Sequence, residues 1–150
     1  WLFRSISLRC SAVMFERYPQ MLKRRRAIIE KYDSAFKPLG IKVLNHYTNE
    51  HTSSGHLYIT RIPNITAEQR NEIITLMAQK GIACNVHYKP LPMHTAYKKL
   101  GFDIKNYSNA YAQFANEITL PLHTCLTDEE VEYVIENYTS IVTEYLYADM

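Results

Sequence analysis

The chain has 150 residues, with a hydrophobic fraction of 47% and a charged fraction of 21%; it is too apolar for disorder and has the size of one hydrophobic core. Its net charge is only +2, no run approaches the ~18 apolar residues of a spanning helix, and no secretory leader pattern is present, so we expect no membrane partner and a cytoplasmic setting. Cys10, Cys84 and Cys125 are odd in number and scattered, which argues against a disulfide framework and fits reduced thiols packed in a core.

Charge is unevenly placed: residues 1–45 hold ten Lys or Arg against three acids, and the remainder seven against twelve. The run Lys23-Arg24-Arg25-Arg26 has no interleaved aromatics and falls within one turn of an expected helix, so we read it as a solvated face and expect no nucleic-acid partner. That helix is set by Leu22, Ile29, Tyr32 and Phe36 recurring at helical spacing from about Pro19, and Pro38-Leu39-Gly40 stops it. Ile41 to His46 reads as a short strand, Thr48 to Gly55 as a polar loop, and His56 to Ile62 as a second strand. Thr66-Ala67-Glu68-Gln69 has capping-box spacing and opens a helix to Lys80 with Gly81 beyond its end.

Ile82 to Tyr88 is expected to be a strand, and Lys89 to His94, with two prolines, an irregular loop. Short helices are expected at Thr95 to Leu100 and Tyr107 to Asn116, an extended segment at Glu117 to Leu120, and a turn region from Pro121 to Leu126. Thr127-Asp128-Glu129-Glu130 is a second capping box. It opens a helix whose expected buried stripe is Val131, Val134, Ile135, Tyr138, Ile141, Val142 and Tyr145. This order implies an α+β class: a small sheet with helices packed on one side.

Candidate chemistry is sparse. His46, His51 and His56 lack a neighbouring Cys or carboxylate at zinc-like spacing, so no metal site is assigned. The four glycines, at positions 40, 55, 81 and 101, are isolated, which excludes a phosphate loop or dinucleotide fingerprint. Cys84 and His87, three apart on an expected strand, point to opposite faces and cannot pair. The segment Val86 to His94 differs, because a strand delivers His87 and Tyr88 into a proline-braced loop that also holds Lys89 and His94. Stiff backbone can present such groups to a polyhydroxy or phosphorylated ligand at low entropic cost; a plain turn with satisfied edge histidines is equally compatible with the spacing.

Several motifs coincide in order and spacing: Arg24-Arg25-Arg26 followed by Tyr32, His56-Leu57-Tyr58 with Arg61, Gly81-Ile82 leading to Val86-His87-Tyr88, and Pro90-Leu91 with His94. The series continues through Tyr97-Lys98-Lys99-Leu100-Gly101, Ile118-Thr119-Leu120-Pro121-Leu122-His123 and Leu126 to Val131. Together they resemble the C-terminal small domain of the DegT/DnrJ/EryC1/StrS aminotransferases, which use pyridoxal phosphate to aminate nucleotide-linked keto-sugars. The resemblance implies residues 15–150 as an aminotransferase-like domain of the fold-type I, aspartate aminotransferase-like class, preceded by an atypical segment, residues 1–14, with the chain a fragment of a longer enzyme.

The resemblance further implies a dimer, with pyridoxal phosphate held in the full-length family by residues preceding the matched region. No catalytic or cofactor-binding residue is therefore assigned here. His87, Tyr88, Lys89 and His94 are the expected substrate-binding residues, facing the nucleotide-sugar. No lysine in the sequence stands where it looks desolvated enough to form a Schiff base, and Lys89 fits a phosphate contact better. The competing expectation is a non-catalytic interaction module that self-associates through the surface the large domain would cover.

Overall fold

The computed structural model describes residues 2–147, with side chains described from Phe15 onward. Five helices and three strands follow in the order α1 (Leu2–Phe36), β1 (Lys42–Val43), β2 (Tyr58–Arg61), α2 (Ala67–Gln79), α3 (Thr95–Lys99), α4 (Ser108–Ala115), β3 (Glu117–Leu120) and α5 (Asp128–Leu146), with 3-10 turns at Lys37–Leu39, Leu91–Met93 and Ile104–Asn106. Helix α1 extends well beyond the expected start, so Pro19 is an interior residue. It removes one backbone donor without ending the helix.

The strands form one antiparallel sheet in the order β1-β2-β3. Tyr58 pairs with Leu120 and Thr60 with Ile118, while Ile59 pairs with Thr119 and Arg61 with Glu117. Alternation across a strand therefore separates two faces: Tyr58, Thr60, Ile118 and Leu120 on one, Ile59, Arg61, Glu117 and Thr119 on the other. The first face meets the helices. Tyr32 and Phe36 of α1 and Tyr138 of α5 are fully buried there with Tyr58, with ring centroids 4.9 Å apart for Tyr32 and Tyr58 and 5.1 Å for Phe36 and Tyr138. Such aromatic contacts add about 0.5–1.5 kcal/mol each beyond area burial.

Every hydroxyl in this aromatic cluster is satisfied. Tyr32 donates to the Pro121 carbonyl at 3.0 Å and Tyr58 to Asp33 Oδ1 at 2.8 Å. Thr60 Oγ1 donates to the Ile118 carbonyl at 2.7 Å, which leaves it to accept from the Tyr138 hydroxyl at 2.6 Å. Burial pushes the Tyr32, Tyr58 and Tyr138 phenols well above their ordinary range, so they act as neutral donors.

Both capping boxes form as expected: Thr66 with Gln69 at α2 and Thr127 with Glu130 at α5. Gly81, at φ +75, closes α2 by a Schellman arrangement, with Gly81 N–H on the Ala78 carbonyl at 2.9 Å and Ile82 N–H on the Met77 carbonyl at 3.0 Å. The buried stripe of α5 is Val131, Val134, Tyr138, Ile141 and Val142, with Ile135 and Tyr145 half-buried beside it.

Two expectations need correction. The basic run of α1 is more than a solvated face: Arg24 pairs with Asp128 at 2.8 Å and also donates to the Leu126 carbonyl, Arg25 donates to the Gly55 carbonyl at 3.2 Å, and Arg26 lies 4.6 Å over the Tyr47 ring. These bonds join α1 to the start of α5 and to the loop after β1. The expected strand from Ile82 to Tyr88 is reduced to one bridge, Asn85 with Thr119. Its backbone donors are diverted to side chains: Val86 N–H goes to Asn85 Oδ1 at 2.8 Å and His87 N–H to Glu117 Oε1 at 2.8 Å, a local competition with the ladder.

Candidate functional site

The face of the sheet turned away from α1 and α5 carries a polar cluster. Glu117 and Thr119 sit two apart on β3, so both project from this face, and they are only 1% and 4% exposed. Thr119 Oγ1 donates to Glu117 Oε1 at 3.1 Å, and His87 Nδ1 lies 3.0 Å from Thr119 Oγ1. His87 is thus held twice, by its backbone N–H on Glu117 and by its ring on Thr119.

Arg70 of α2 supports the cluster. It is 3% exposed, its guanidinium lies 4.7 Å over the Phe114 ring, and its Nε and Nη1 have no hydrogen-bond partner. Burial lowers its pKa and the Glu117 carboxylate pulls it back up. A guanidinium stays charged in proteins, so Arg70 places a positive charge near Glu117, with no salt bridge between the two among the described residues.

A cavity of about 270 Å³ opens above this cluster, lined by His87, Tyr88 and Pro90 from the loop, Ala110, Gln113 and Phe114 from α4, and Glu117 from β3. The His87 and Tyr88 rings meet edge to face, 4.7 Å between centroids, and Tyr88 is 71% exposed. Beside it, Pro90, Leu91, Tyr97, Phe102 and Tyr107 line an apolar groove of about 320 Å³. A larger cavity of about 550 Å³ lies near the start of α5, between Ile82, Pro121, Leu126 and Val134, and includes none of the residues expected to bind substrate.

Of the four expected site residues, the structure brings His87 and Tyr88 to the small cavity. Lys89 is exposed on the same loop. His94 is also exposed, and its Nε2 lies 3.3 Å from the Lys89 carbonyl; a carbonyl only accepts, so Nε2 carries the proton and clasps the loop. Pro90 and Met93 close the same turn, with Met93 N–H on the Pro90 carbonyl at 2.9 Å. Burial pushes the Cys84 thiol up to about 12, which leaves it protonated and unsuited to nucleophilic attack. Sequence reading missed Glu117, Thr119, Phe114 and Gln113. The one available signal was a glutamate alternating with a threonine inside an otherwise apolar strand.

The sequence pattern of the DegT/DnrJ/EryC1/StrS aminotransferase family matches residues 6–139. The chain belongs to this family. Among solved members, Spr1654 from Streptococcus pneumoniae, described as a sugar aminotransferase, is 54% identical with a TM-score of 0.86 over 89% of this chain and 33% of its own in its PMP-form; a PLP-form is also known. The spore coat polysaccharide biosynthesis protein SpsC of Bacillus subtilis is 28% identical over 130 residues, 85% of this chain and 33% of SpsC. The dTDP-4-dehydro-2,3,6-trideoxy-D-glucose 4-aminotransferase of Saccharopolyspora spinosa is 26% identical over 139 residues, 90% of this chain and 34% of that enzyme. The chain spans about a third of the length of these relatives.

Spr1654 is known in a pyridoxal phosphate form. Among the described residues every lysine is exposed except Lys31. Lys31 is half-buried, 2.7 Å from Glu132 and 3.6 Å from Asp128, and the bond to Glu132 above all raises its pKa. A Schiff-base lysine needs the opposite environment, desolvated and with a lowered pKa. Among the described residues no helix is long and apolar enough to cross a membrane, and no group of three or more His, Cys, Asp or Glu could hold a metal ion.

Proposed function

We propose that this chain is the substrate-facing small domain of a pyridoxal-phosphate-dependent aminotransferase of nucleotide-linked keto-sugars, and that the cofactor lysine lies outside it. The described residues do not fit a covalent pyridoxal phosphate site, and we assign no catalytic or cofactor-binding residue. The reading is carried by the cavity at His87 and Tyr88, where ring groups of the loop that carries the family motifs stand against the buried Glu117 carboxylate of β3. His87, Tyr88 and Lys89 are the groups that meet the ligand, with Lys89 free to approach a phosphate and His94 bracing the loop. Residues 15–150 make up the domain and residues 1–14 lead into it. The full-length protein works as a cytoplasmic homodimer with the sugar bound where the domains meet.

The test is an NMR titration of the chain with dTDP-glucose. The expected perturbations centre on His87, Tyr88 and Lys89; saturating probe with no change at these residues refutes the reading.

A second reading is a non-catalytic module that self-associates. It is favoured by exposed apolar side chains within one stretch: Tyr88, Leu91, Leu100, Phe102, Tyr107 and Tyr111, with Leu100 73% exposed and Leu91 57%. Leu91, Phe102 and Tyr107 line one apolar groove, and exposed apolar surface of this kind marks an interaction site. Light scattering distinguishes the two: concentration-dependent dimers that Phe102→Asp dissociates support the module, and a monomer at all concentrations removes it.

A further inference from the structure

The hydrogen-bond order around His87 decides which of its ring nitrogens a ligand meets. Three acceptors and donors must be reconciled: Glu117 Oε1, Thr119 Oγ1 and His87 Nδ1. A carboxylate only accepts, and a threonine hydroxyl has one proton to give. Glu117 Oε1 already accepts His87 N–H at 2.8 Å. The Thr119 proton therefore goes to Glu117, and Thr119 Oγ1 is left with lone pairs toward His87 Nδ1, 3.0 Å away. Nδ1 must then carry the imidazole proton. His87 Nε2 has no hydrogen-bond partner among the described residues and is not among the buried atoms left without one, so it stays open to solvent on a side chain that lines the cavity.

We propose that Glu117 and Thr119 are positioning residues that fix His87 as the Nδ1–H tautomer, so that Nε2 meets the ligand as a hydrogen-bond acceptor for a donor group of the sugar, a hydroxyl or an ammonium. The ligand half of this statement rests on the function proposed above. The tautomer half does not. It makes the His87 position selective for hydroxylated or amino-bearing ligand atoms over phosphate oxygens, which offer no proton to a neutral Nε2. Lys89, exposed on the next turn of the loop, supplies the cation that phosphate needs.

Long-range proton–nitrogen correlation of the ¹⁵N-labelled chain reads the tautomer directly, at pH 8.5, where an imidazole side chain is neutral. The expected result is a pyrrole-type Nδ1 and a pyridine-type Nε2 at His87 in the native chain and in Thr119→Ser, which keeps the hydroxyl. Thr119→Val removes the acceptor, and loss of one hydrogen bond moves the tautomer ratio by about fivefold toward Nε2–H. An Nε2–H tautomer in the native chain overturns the proposal, and so does a ratio that Thr119→Val leaves unchanged. The native spectrum decides on its own, so a variant that fails to fold does not rescue the idea. With the Nδ1–H tautomer in place, dTDP-glucose that leaves His87 unperturbed refutes the functional reading and leaves the Glu117, Thr119, His87 order standing.

Discussion

Replacing Glu117 by alanine removes the acceptor on which the site is built. Its Oε1 takes His87 N–H at 2.8 Å and the Thr119 hydroxyl at 3.1 Å, and its charge faces the 3%-exposed Arg70. Thr119 can turn its proton elsewhere, but His87 N–H, a part-buried donor, loses its partner, which costs about 1–3 kcal/mol. Arg70 makes no salt bridge to Glu117 among the described residues, so it loses only a nearby opposite charge. These terms share one site and do not simply add, so we expect Glu117→Ala to destabilise the domain by about 1–3 kcal/mol, set mainly by the lost acceptor. Glu117→Gln retains an acceptor oxygen and loses only the charge, and should fall between the native chain and alanine. Urea unfolding reads both as a lower midpoint at unchanged slope. A loss below about 1 kcal/mol for Glu117→Ala, or equal losses for the two variants, refutes the argument that a buried carboxylate organises the cluster.

His46 predicts a pH dependence. It is 5% exposed, stacked on Tyr58 at 6.0 Å, and burial lowers its pKa below the ordinary 6.5, while Asp33 raises it and Lys37 lowers it. The unfolded chain then binds the proton more readily than the folded one, so stability is full above about 6.5 and falls as pH drops through the folded value; urea midpoints at pH 7.5 and 5.5 should differ, and His46→Phe, which keeps the ring, should shrink the gap. Gly55 has φ +61 and a Cβ there would meet Ile29 Cδ1 at 2.9 Å, whereas at Gly40, φ +77, nothing lies within 4 Å. Gly40→Ala should cost only the left-handed backbone term of about 1–2 kcal/mol and Gly55→Ala more; equal thermal shifts would contradict this. Thr127→Ala removes the cap on Glu130 N–H, 3.1 Å, and should cost about 1 kcal/mol by the same unfolding assay.

Features carried by neighbouring residues were legible in the sequence. The capping boxes at Thr66 and Thr127, the αL glycine at Gly81 and the stripe of α5 depend on spacings within one helix, and each forms as the spacing implies. The expected strand from Ile82 to Tyr88 shrinks to one bridge, because Asn85 and Glu117 side chains take backbone donors that a ladder would use. The Asn85 bond is local, whereas the Glu117 bond joins residues thirty apart and leaves no local pattern. The same holds for Arg24, whose partner Asp128 lies 104 residues away. At the site, His87 and Tyr88 were visible as ring groups entering a stiff loop, whereas Glu117 and Thr119 read as an ordinary extended segment until β3 was set beside residues 85–87.

The proposed role has this chain present substrate groups without holding the cofactor covalently. Incubation with pyridoxal phosphate, borohydride reduction and peptide mapping test this directly. Scattered, substoichiometric labelling of the exposed lysines is the expected result. Stoichiometric reduction onto a single lysine, Lys89 above all, would contradict it and mean that the chain carries a cofactor site of its own.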